Sequence, residues 1–409
     1  MKHLRRYLLW LLPLLILCVG AVPGHAQPLP DWCPPDTDGV DTDGDGDAAN
    51  DNVCISLAAG DGFVNMGDAA ITGAPTYTFG FSDTPIGWTT AQVVANRQRA
   101  AQWPGPTIVV REGQNLYLRL TNVGLAERPD LFDPHSVHYH GFPNAASIFD
   151  GLPESGPTVN MSASFVYFYH NYRPGQYFYH CHVEATEHMQ MGMIGNLWVT
   201  PKQNFKPDGF VFPNGFVHRS GYKYAYNDND GSTYYDKEYP VQLTGFDPRF
   251  HEADHTFQLL PFADLYDDYP MINGRGYPDT INPNALGPDP ANPSQRISSL
   301  ITAKAGEKIL LRLNSVGTVD IYTIRVLGIP MKIVGRGGML LRGTFGNNLY
   351  QTTNAINVAG GEAYDVILDT TGVAPGTYFL YTTNYNHLVN ADMERGGMMT
   401  EIVVTPGPV

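Results

Sequence analysis

The histidines of this chain are concentrated in one region, and their spacing predicts metal binding. Seven of the 13 histidines fall between residues 135 and 188, six of them in HSVHYHG at 135–141 and HCHVEATEH at 180–188. On a β-strand, side chains two residues apart point to the same face. Each stretch therefore offers a pair of imidazoles on one side of its strand: His138 with His140, and His180 with His182. Cys181 would then face the opposite side.

The combination of ligand types indicates copper. Two histidines, one cysteine and a weak axial methionine make a blue-copper site, and the chain offers this set as His135, Cys181, His188 and Met193. Met189 and Met191 are alternative axial ligands. Zinc also accepts cysteine and histidine. A zinc site, however, would need neither the additional paired histidines nor a methionine five residues after His188.

Both histidine stretches resemble the copper signatures of the multicopper oxidases. PGPTI at 104–108 resembles the family's strand leading into the site, and the resemblance covers roughly residues 71–409. It implies the cupredoxin fold and a type-1 copper on the four residues named above. It further implies a type-2 copper on His138, and a type-3 pair on His140, His180 and His182.

The same resemblance implies an activity. A reductant would give electrons to the type-1 copper, and the backbone of Cys181 would pass them through its flanking histidines to the cluster, where dioxygen is reduced to water. Asp150, in FDG at 149–151, resembles the family's acid that aids proton delivery. Its alternative interpretation is an ordinary turn aspartate.

The family pattern is incomplete here. The family's cluster draws matching sets of histidines from two domains, and this chain shows one set. PGQYFY at 174–179 and PGTYFL at 375–380 indicate that one fold is used twice. In the second unit, Tyr322, Arg325 and Leu327 replace the first histidines, and Tyr381, Thr382 and Thr383 replace His180, Cys181 and His182. The missing imidazoles would come from a second copy of the chain across a two-fold interface, or from a separate partner, or the site holds fewer coppers.

Short strands must position these residues. The 43 glycines, 32 prolines, 24 tyrosines and 19 phenylalanines favour a turn-rich, aromatic β protein. We predict an all-β chain of two cupredoxin-like Greek-key β-sandwich domains, preceded by a short Asp-rich loop. The predicted parts are a signal peptide at 1–26, the Asp-rich loop and leader at 27–70, the copper-binding domain at 71–204, a linker or insertion at 205–238, and a second domain without copper ligands at 239–409.

The start of the chain predicts export. Lys2, Arg5 and Arg6 precede an apolar run at 7–19, and a small-residue cleavage site follows at 24–26. The run is shorter than the roughly 20 residues needed to cross a bilayer, so we expect no membrane span in the mature chain. Export permits disulfides. Cys33 and Cys54 flank one short loop, and we expect them to be bonded.

The segment at 31–54, which contains both of these cysteines, holds eight aspartates from Asp31 to Asp51. DTDGDG at 41–46 matches the opening of a calcium loop, although the flanking pattern is not that of an EF-hand. The predicted calcium ligands are Asp36, Asp38, Asp41, Asp43, Asp45 and Asp47. A solvated acidic linker is the alternative.

Composition and motifs together favour one function over two others. A net charge of −15 disfavours nucleic-acid binding. We predict an exported, laccase-like multicopper oxidase, acting as a homo-oligomer on dioxygen and on a phenol or a metal ion. A non-enzymatic blue-copper electron carrier or copper-binding protein is the alternative. A copper nitrite reductase is disfavoured, because that family has an aspartate in place of His138 and a non-ligand in place of His182.

Overall fold

The computed structural model describes residues 30–68, 74–143 and 146–407, so the predicted signal peptide lies outside the described residues. Most of the elements are strands, and the structure confirms the predicted all-β architecture of cupredoxin-like domains. Within the described ranges, three short α-helices interrupt the strands: α1 (Thr90–Asn96), α2 (Ala185–Met191) and α3 (Pro248–His255). Short 3₁₀ turns lie at Ser147–Phe149, Lys202–Phe205, Phe262–Asp264, Asp279–Ile281 and Tyr385–His387. None of the helices in the described ranges is long and apolar enough to cross a membrane.

The first sandwich packs two four-stranded sheets, ordered β2-β1-β4-β6 and β3-β8-β7-β5. Its core lies between them and is rich in buried tyrosine. The structure puts β1 inside this sandwich, antiparallel to β2 and parallel to β4, although the sequence boundaries place those residues in the leader. The strands are β1 (Asn52–Val64), β2 (Thr76–Asp83), β3 (Gly105–Arg111), β4 (Asn115–Gly124), β5 (His138–His140), β6 (Ser164–His170), β7 (Gly175–His180) and β8 (Ile194–Thr200).

The second sandwich repeats this plan. One sheet has the order β12-β11-β14-β20-β16-β17, with β18 also on β16, and the other has the order β13-β24-β21-β15-β19. The strands are β11 (Lys237–Thr244), β12 (Met271–Ile272), β13 (Ile301–Lys304), β14 (Lys308–Ser315), β15 (Tyr322–Val326), β16 (Met331–Arg336), β17 (Met339–Leu340), β18 (Gln351–Thr353), β19 (Ile356–Val358), β20 (Ala363–Asp369), β21 (Gly376–Thr382) and β24 (Met399–Thr405).

Two small hairpins complete the strands: β9 (Lys223–Tyr224) with β10 (Tyr234–Tyr235), and β22 (Val389–Asn390) with β23 (Met393–Glu394). The first hairpin belongs to the predicted linker or insertion. Ala225, Tyr226 and Tyr235 of this region share an apolar cluster with Leu310 and Ile367 of the second sandwich. The segment is therefore packed onto the second domain.

An apolar cluster joins the two domains. Trp103, Phe178 and Ile194 of the first domain pack with Phe246 and Met271 of the second, and all five are buried. Burying apolar surface of this kind stabilises the contact by about 25 cal/mol for each Å² removed from water. The relative position of the two sandwiches is thus held by a continuous interface, and this interface lies close to the histidine-rich strands.

Candidate metal centre

The three strongest ligands of the predicted type-1 site converge from different elements. His135 precedes β5 and pairs by its backbone with Val159, Cys181 follows β7, and His188 lies on α2. One ligand atom from each lies within 4.8 Å of the other two. All three residues have 0% exposed surface. The structure thus brings His135 together with two residues that follow it by more than forty positions in the sequence.

The cysteine of this group is held as a thiolate. The backbone N–H of Ser136 donates to Cys181 Sγ at 3.3 Å, and His188 Nδ1 lies 3.1 Å from the same atom. Burial opposes ionisation of the thiol, but the adjacent imidazoles of His188 and His135 more than offset it and lower the pKa of Cys181 to about 5. A thiolate is the form that binds soft metals.

The donor set fits a metal ion. The ring of His135 is fully buried, and apart from its contact with Cys181 neither of its nitrogens has a hydrogen-bond partner in the part of the chain that the structure describes. Buried polar atoms are almost always hydrogen-bonded, and a metal ion would satisfy one of these nitrogens. The combination of two imidazoles and one thiolate is the one that copper accepts at blue sites.

Met193 is the methionine tied most directly to this group. Its carbonyl accepts from the N–H of Cys181 at 3.0 Å, and its own N–H donates to the carbonyl of His188 at 2.8 Å. Gly192 makes this turn possible: its φ is +114°, and an added Cβ would lie 2.5 Å from the ring of Trp103. The alternatives sit elsewhere, since Met191 ends α2 and Met189 lines the neighbouring cavity.

The paired histidines form a second group on the other side of Cys181. Ligand atoms of His138, His140 and His180 lie within 4.8 Å of one another. Together with His182 they line a cavity of about 360 Å³. The strand register places His138 directly opposite His180. This arrangement agrees with the alternation expected from the sequence.

Backbone carbonyls fix the orientation of two of these rings. His138 Nδ1–H donates to the carbonyl of Asp150 at 2.7 Å, and one carboxylate oxygen of Asp150 lies 3.3 Å from the same nitrogen. His180 Nδ1–H donates to the carbonyl of Cys181 at 2.7 Å. In each ring, Nε2 is then the nitrogen left for a metal. Partners of this kind orient ligands at metal sites.

Burial keeps these imidazoles neutral. It lowers the pKa of His138, and it lowers the pKa of His140 to about 4 and that of His180 to about 3. At neutral pH each ring therefore carries a free lone pair. His140 Nδ1 and His180 Nε2 lie only 3.4 Å apart, a spacing that suits two nitrogens facing one cation.

Part of the cavity wall comes from the second domain of the same chain, which sequence reasoning did not anticipate. Val316, Gly317, Thr318, Gly360 and Gly361 line it, and a Cβ on Gly361 would lie 3.2 Å from His140 Nε2. None of these five residues carries an imidazole, thiol or carboxylate. Among the residues lining the cavity, the metal-binding side chains are all from the first domain.

The strand registers also support the predicted replacement of ligands in the second domain. Arg325 pairs with Tyr381 where His138 pairs with His180. The N–H of Thr382 donates to the carbonyl of Met398 at 3.1 Å, as that of Cys181 does to Met193. His387 takes the position of His188. Its Nε2 lies 3.2 Å from Asp320.

One carboxylate beside the type-1 group is absent from the sequence predictions. Asp133 Oδ2 lies 3.1 Å from His188 Nε2, on the side of the ring opposite Cys181. Burial alone would raise the pKa of Asp133, but the contact with His188 and the charges of both imidazoles lower it. Its place two residues before His135 is the only sequence signal that could have drawn attention to it.

The Asp-rich loop packs around the guanidinium group of Arg111. The predicted Cys33–Cys54 disulfide is present. Asp41, Asp43 and Asp45 come together, and Arg111 pairs with Asp43 at 2.7 Å and also with Asp45. The other three predicted ligands make local turns or brace the loop, since Asp36, Asp38 and Asp47 accept from the N–H groups of Asp51, Val40 and Ala49. Calcium binding stays a prediction.

Known proteins resemble this chain along most of its length. Two family models, both described as multicopper oxidase, match residues 86–204 and 252–406. A copper resistance protein A homolog of Pseudomonas syringae pv. tomato is 24% identical over 344 residues, covering 78% of this chain and 52% of that protein. Laccase-2 of Cryptococcus neoformans var. grubii is 25% identical over 342 residues, covering 79% of this chain and 49% of its own.

The chain therefore spans about half the length of these curated relatives. Among solved structures, a blue copper oxidase from Nitrosomonas europaea superposes with a TM-score of 0.61 at 23% identity. The superposition covers 86% of this chain and 85% of the Nitrosomonas protein. A likeness at this identity supports the fold.

Proposed function

Because this chain belongs to the multicopper oxidase family, we propose that it is an exported oxidase that passes single electrons from a phenol or a metal ion to dioxygen. His135, Cys181, His188 and Met193 would hold a type-1 copper. His138, His140, His180 and His182 would hold part of a type-2 and type-3 cluster. Copper bound in these places would supply one-electron chemistry, accepting electrons singly at the thiolate and reducing dioxygen to water at the imidazoles.

One observation supports this proposal above the others. Cys181 lies between His180 and His182 in the chain, with its sulfur in the buried group and both neighbouring imidazoles on the cavity. A few covalent bonds therefore connect the thiolate with the second group. A simple electron carrier needs the buried group only, whereas an oxidase needs both.

The protein's own residues would prepare the second group for chemistry. Asp150 holds the ring of His138 through its carbonyl, and its side chain is 25% exposed. A carboxylate that contacts both a cavity-lining histidine and solvent is placed to pass a proton towards the cavity. We therefore assign proton delivery to Asp150, while its carbonyl positions His138.

The cluster would be completed across a subunit interface. The second domain contributes a wall of small residues and no ligand to the cavity. His138, His140 and His182 are half-buried, so they keep edges that a partner chain can approach. A second copy placing its own four histidines there across a two-fold axis would supply the missing set. The acidic surface favours cationic reductants, since the formal net charge is −15.

Copper content after reconstitution tests this proposal. We expect about 2.5 coppers per chain, because each dimer would hold two type-1 ions and one shared cluster of three, together with oxygen uptake on addition of guaiacol. His140→Ala should lower the content towards about 1. His387→Ala, which removes a histidine of the second domain, should leave it unchanged.

Two other results would contradict the proposal. A content of about 1 without oxygen uptake would favour the blue-copper electron carrier, which is supported by the lack of a second ligand set among the cavity-lining residues. A content of about 4 would mean that each chain holds a full cluster, and the subunit-interface model would be wrong.

A further inference from the structure

The type-1 group cannot touch a reductant directly. His135, Cys181 and His188 have 0% exposed surface, so an electron must cross intervening protein to reach them. Two groups flank the ring of His188. Asp133 lies 3.1 Å from Nε2, and the ring of Phe79 meets the imidazole edge-on with centroids 5.7 Å apart.

Phe79 is the inner end of a row of aromatic side chains. Tyr77 follows at 5.7 Å between ring centroids, and Phe63 follows Tyr77 at 5.8 Å. The strand geometry explains this row. Tyr77 and Phe79 are two residues apart on β2, and Phe63 on the neighbouring strand β1 pairs directly with Tyr77. Both Tyr77 and Phe79 are almost wholly buried. The row thus runs from the type-1 group to the edge of the core.

Tyr77 has a built-in proton acceptor. Its hydroxyl donates to Asp61 Oδ2 at 3.1 Å. Asp61 is fully buried, and the same oxygen also accepts from the backbone N–H of Glu127 at 2.7 Å. A phenol that loses an electron also loses its proton, and a carboxylate at hydrogen-bond distance can take it. Packing alone would not require this pair, since a phenylalanine would fill the same space.

The outer end of the row opens on a cavity between the two domains. Phe63 lines this cavity of about 360 Å³, which also contacts Pro75, Arg99, Pro288, Asp289, Asn292 and Ser294. Its size is that of a small-molecule pocket. One phenylalanine, two prolines and the guanidinium of Arg99, which also pairs with Glu127 at 2.6 Å, suit a flat, electron-rich aromatic molecule. Arg99 is held here at φ +58°, a conformation uncommon outside glycine and often found at binding sites.

We propose that this cavity between the domains, named here the Phe63 cavity, binds phenols for oxidation, and that Phe63, Tyr77 and Phe79 conduct the electron to the type-1 group. The inference rests on the proposed function, because it needs the oxidised type-1 copper as electron acceptor. Small cationic reductants would instead deliver electrons beside Asp133. The enzyme would then have two entry points for two classes of reductant.

The relay step balances in electrons and protons. With oxidised copper held by the type-1 group as one-electron acceptor, Tyr77 would give up one electron to it and its hydroxyl proton to Asp61, so that Tyr77 would be left as a neutral phenoxyl radical. The phenol in the Phe63 cavity then gives one electron to that radical, and Asp61 returns the proton to the Tyr77 oxygen. The bound phenol loses its own proton to water and departs as a radical.

Two measurements on three variants test this inference. Tyr77→Phe removes the oxidisable hydroxyl and keeps the ring. Asn292→Trp fills the Phe63 cavity. Tyr169→Phe is the matched control, since Tyr169 is also fully buried in the first core. The first measurement is guaiacol binding to the copper-free protein. The second is anaerobic bleaching of the blue colour by guaiacol and by hexaammineruthenium(II).

Guaiacol should bind the copper-free wild type and copper-free Tyr77→Phe with equal affinity. It should bind Asn292→Trp with an affinity lower by roughly tenfold or more. Tyr77→Phe should slow bleaching by guaiacol roughly tenfold or more and leave bleaching by the ruthenium complex unchanged. Tyr169→Phe should change neither rate. The inference is overturned if guaiacol bleaches Tyr77→Phe as fast as wild type, or if it does not bind the copper-free protein. Failure of the oxidase proposal looks different: oxygen uptake would be missing while guaiacol still bleached the wild type through Tyr77.

Discussion

Replacing Asp133 with asparagine should weaken copper binding at the type-1 group without removing any ligand. His188 turns Nδ1 towards Cys181 Sγ at 3.1 Å and Nε2 towards Asp133 at 3.1 Å. The nitrogen nearer the sulfur would bind the metal, and the carboxylate then stabilises the Nε2–H and raises the basicity of the ring. Asp133→Asn keeps the shape of the side chain and removes its charge.

The size of the effect follows from burial. The side chain of Asp133 is only 9% exposed and that of His188 is 0% exposed, so solvent screens the contact poorly. Removing an outer partner of a metal-bound histidine typically costs 10- to 100-fold in metal affinity. That range corresponds to about 1.4 to 2.7 kcal/mol. We expect the loss to fall near its upper end.

Competition with a copper chelator, followed by the blue absorption, measures this affinity. The chain supplies a matched control in Asp320→Asn, because Asp320 lies 3.2 Å from His387 at the equivalent position of the second domain. The control should leave copper affinity unchanged. Equal affinities for wild type and Asp133→Asn would refute the reasoning, and an equal loss in both variants would show that the effect is not local to the type-1 group.

Three further outcomes are expected. Cys181→Ser should abolish the blue absorption, and an unchanged spectrum would refute the type-1 assignment. Burial lowers the pKa of His251 to about 4, so only the unfolded chain takes up that proton between pH of about 6.5 and about 4. As the pH is lowered through this window, the free energy of unfolding should fall by up to about 3 kcal/mol. Urea titrations of His251→Gln should not show this part of the pH dependence. Arg312→Met leaves the fully buried Asp365 without its cation at 2.8 Å and should cost about 3–5 kcal/mol in urea unfolding, against less than about 1 kcal/mol for the exposed Arg336→Met.

Strand positions and ligand grouping could be predicted from the sequence, because both depend on local alternation. The segment at 52–64 could not. It holds Ala58, Ala59 and Gly60 in place of an alternating apolar pattern, and it is buried by pairing with strands that follow it in the chain. His251 was equally hard to interpret. Its neighbours in the sequence indicate no role for it, and the structure places it on α3. There His251 lies between the carbonyls of Tyr77 at 2.6 Å and Gln190 at 3.0 Å.

The wall of the histidine cavity shows a different limit. Gly361 approaches the His140 ring closely because it lacks a side chain, Gly317 lines the same cavity, and residues without side chains carry no chemical signature in a sequence. Their distance along the chain from His140 removes any local signal as well. The position of such glycines in a cavity wall can therefore be learned only from the tertiary structure, even where the candidate ligands can be named from the sequence.

The two domains together show what the metal adds to this fold. The second domain keeps the backbone bonds, a histidine and a methionine of the type-1 group, yet Tyr322 replaces His135 and donates to Asp267 at 3.1 Å. The Tyr322 hydroxyl is thereby hydrogen-bonded, whereas neither ring nitrogen of His135 has a hydrogen-bond partner other than Cys181 among the described residues. An unsatisfied buried group costs about 1–3 kcal/mol. The histidine position of the first domain therefore carries a cost that copper binding offsets by linkage, and the tyrosine at the same position of the second domain does not. Copper should accordingly raise the melting temperature through the first domain alone.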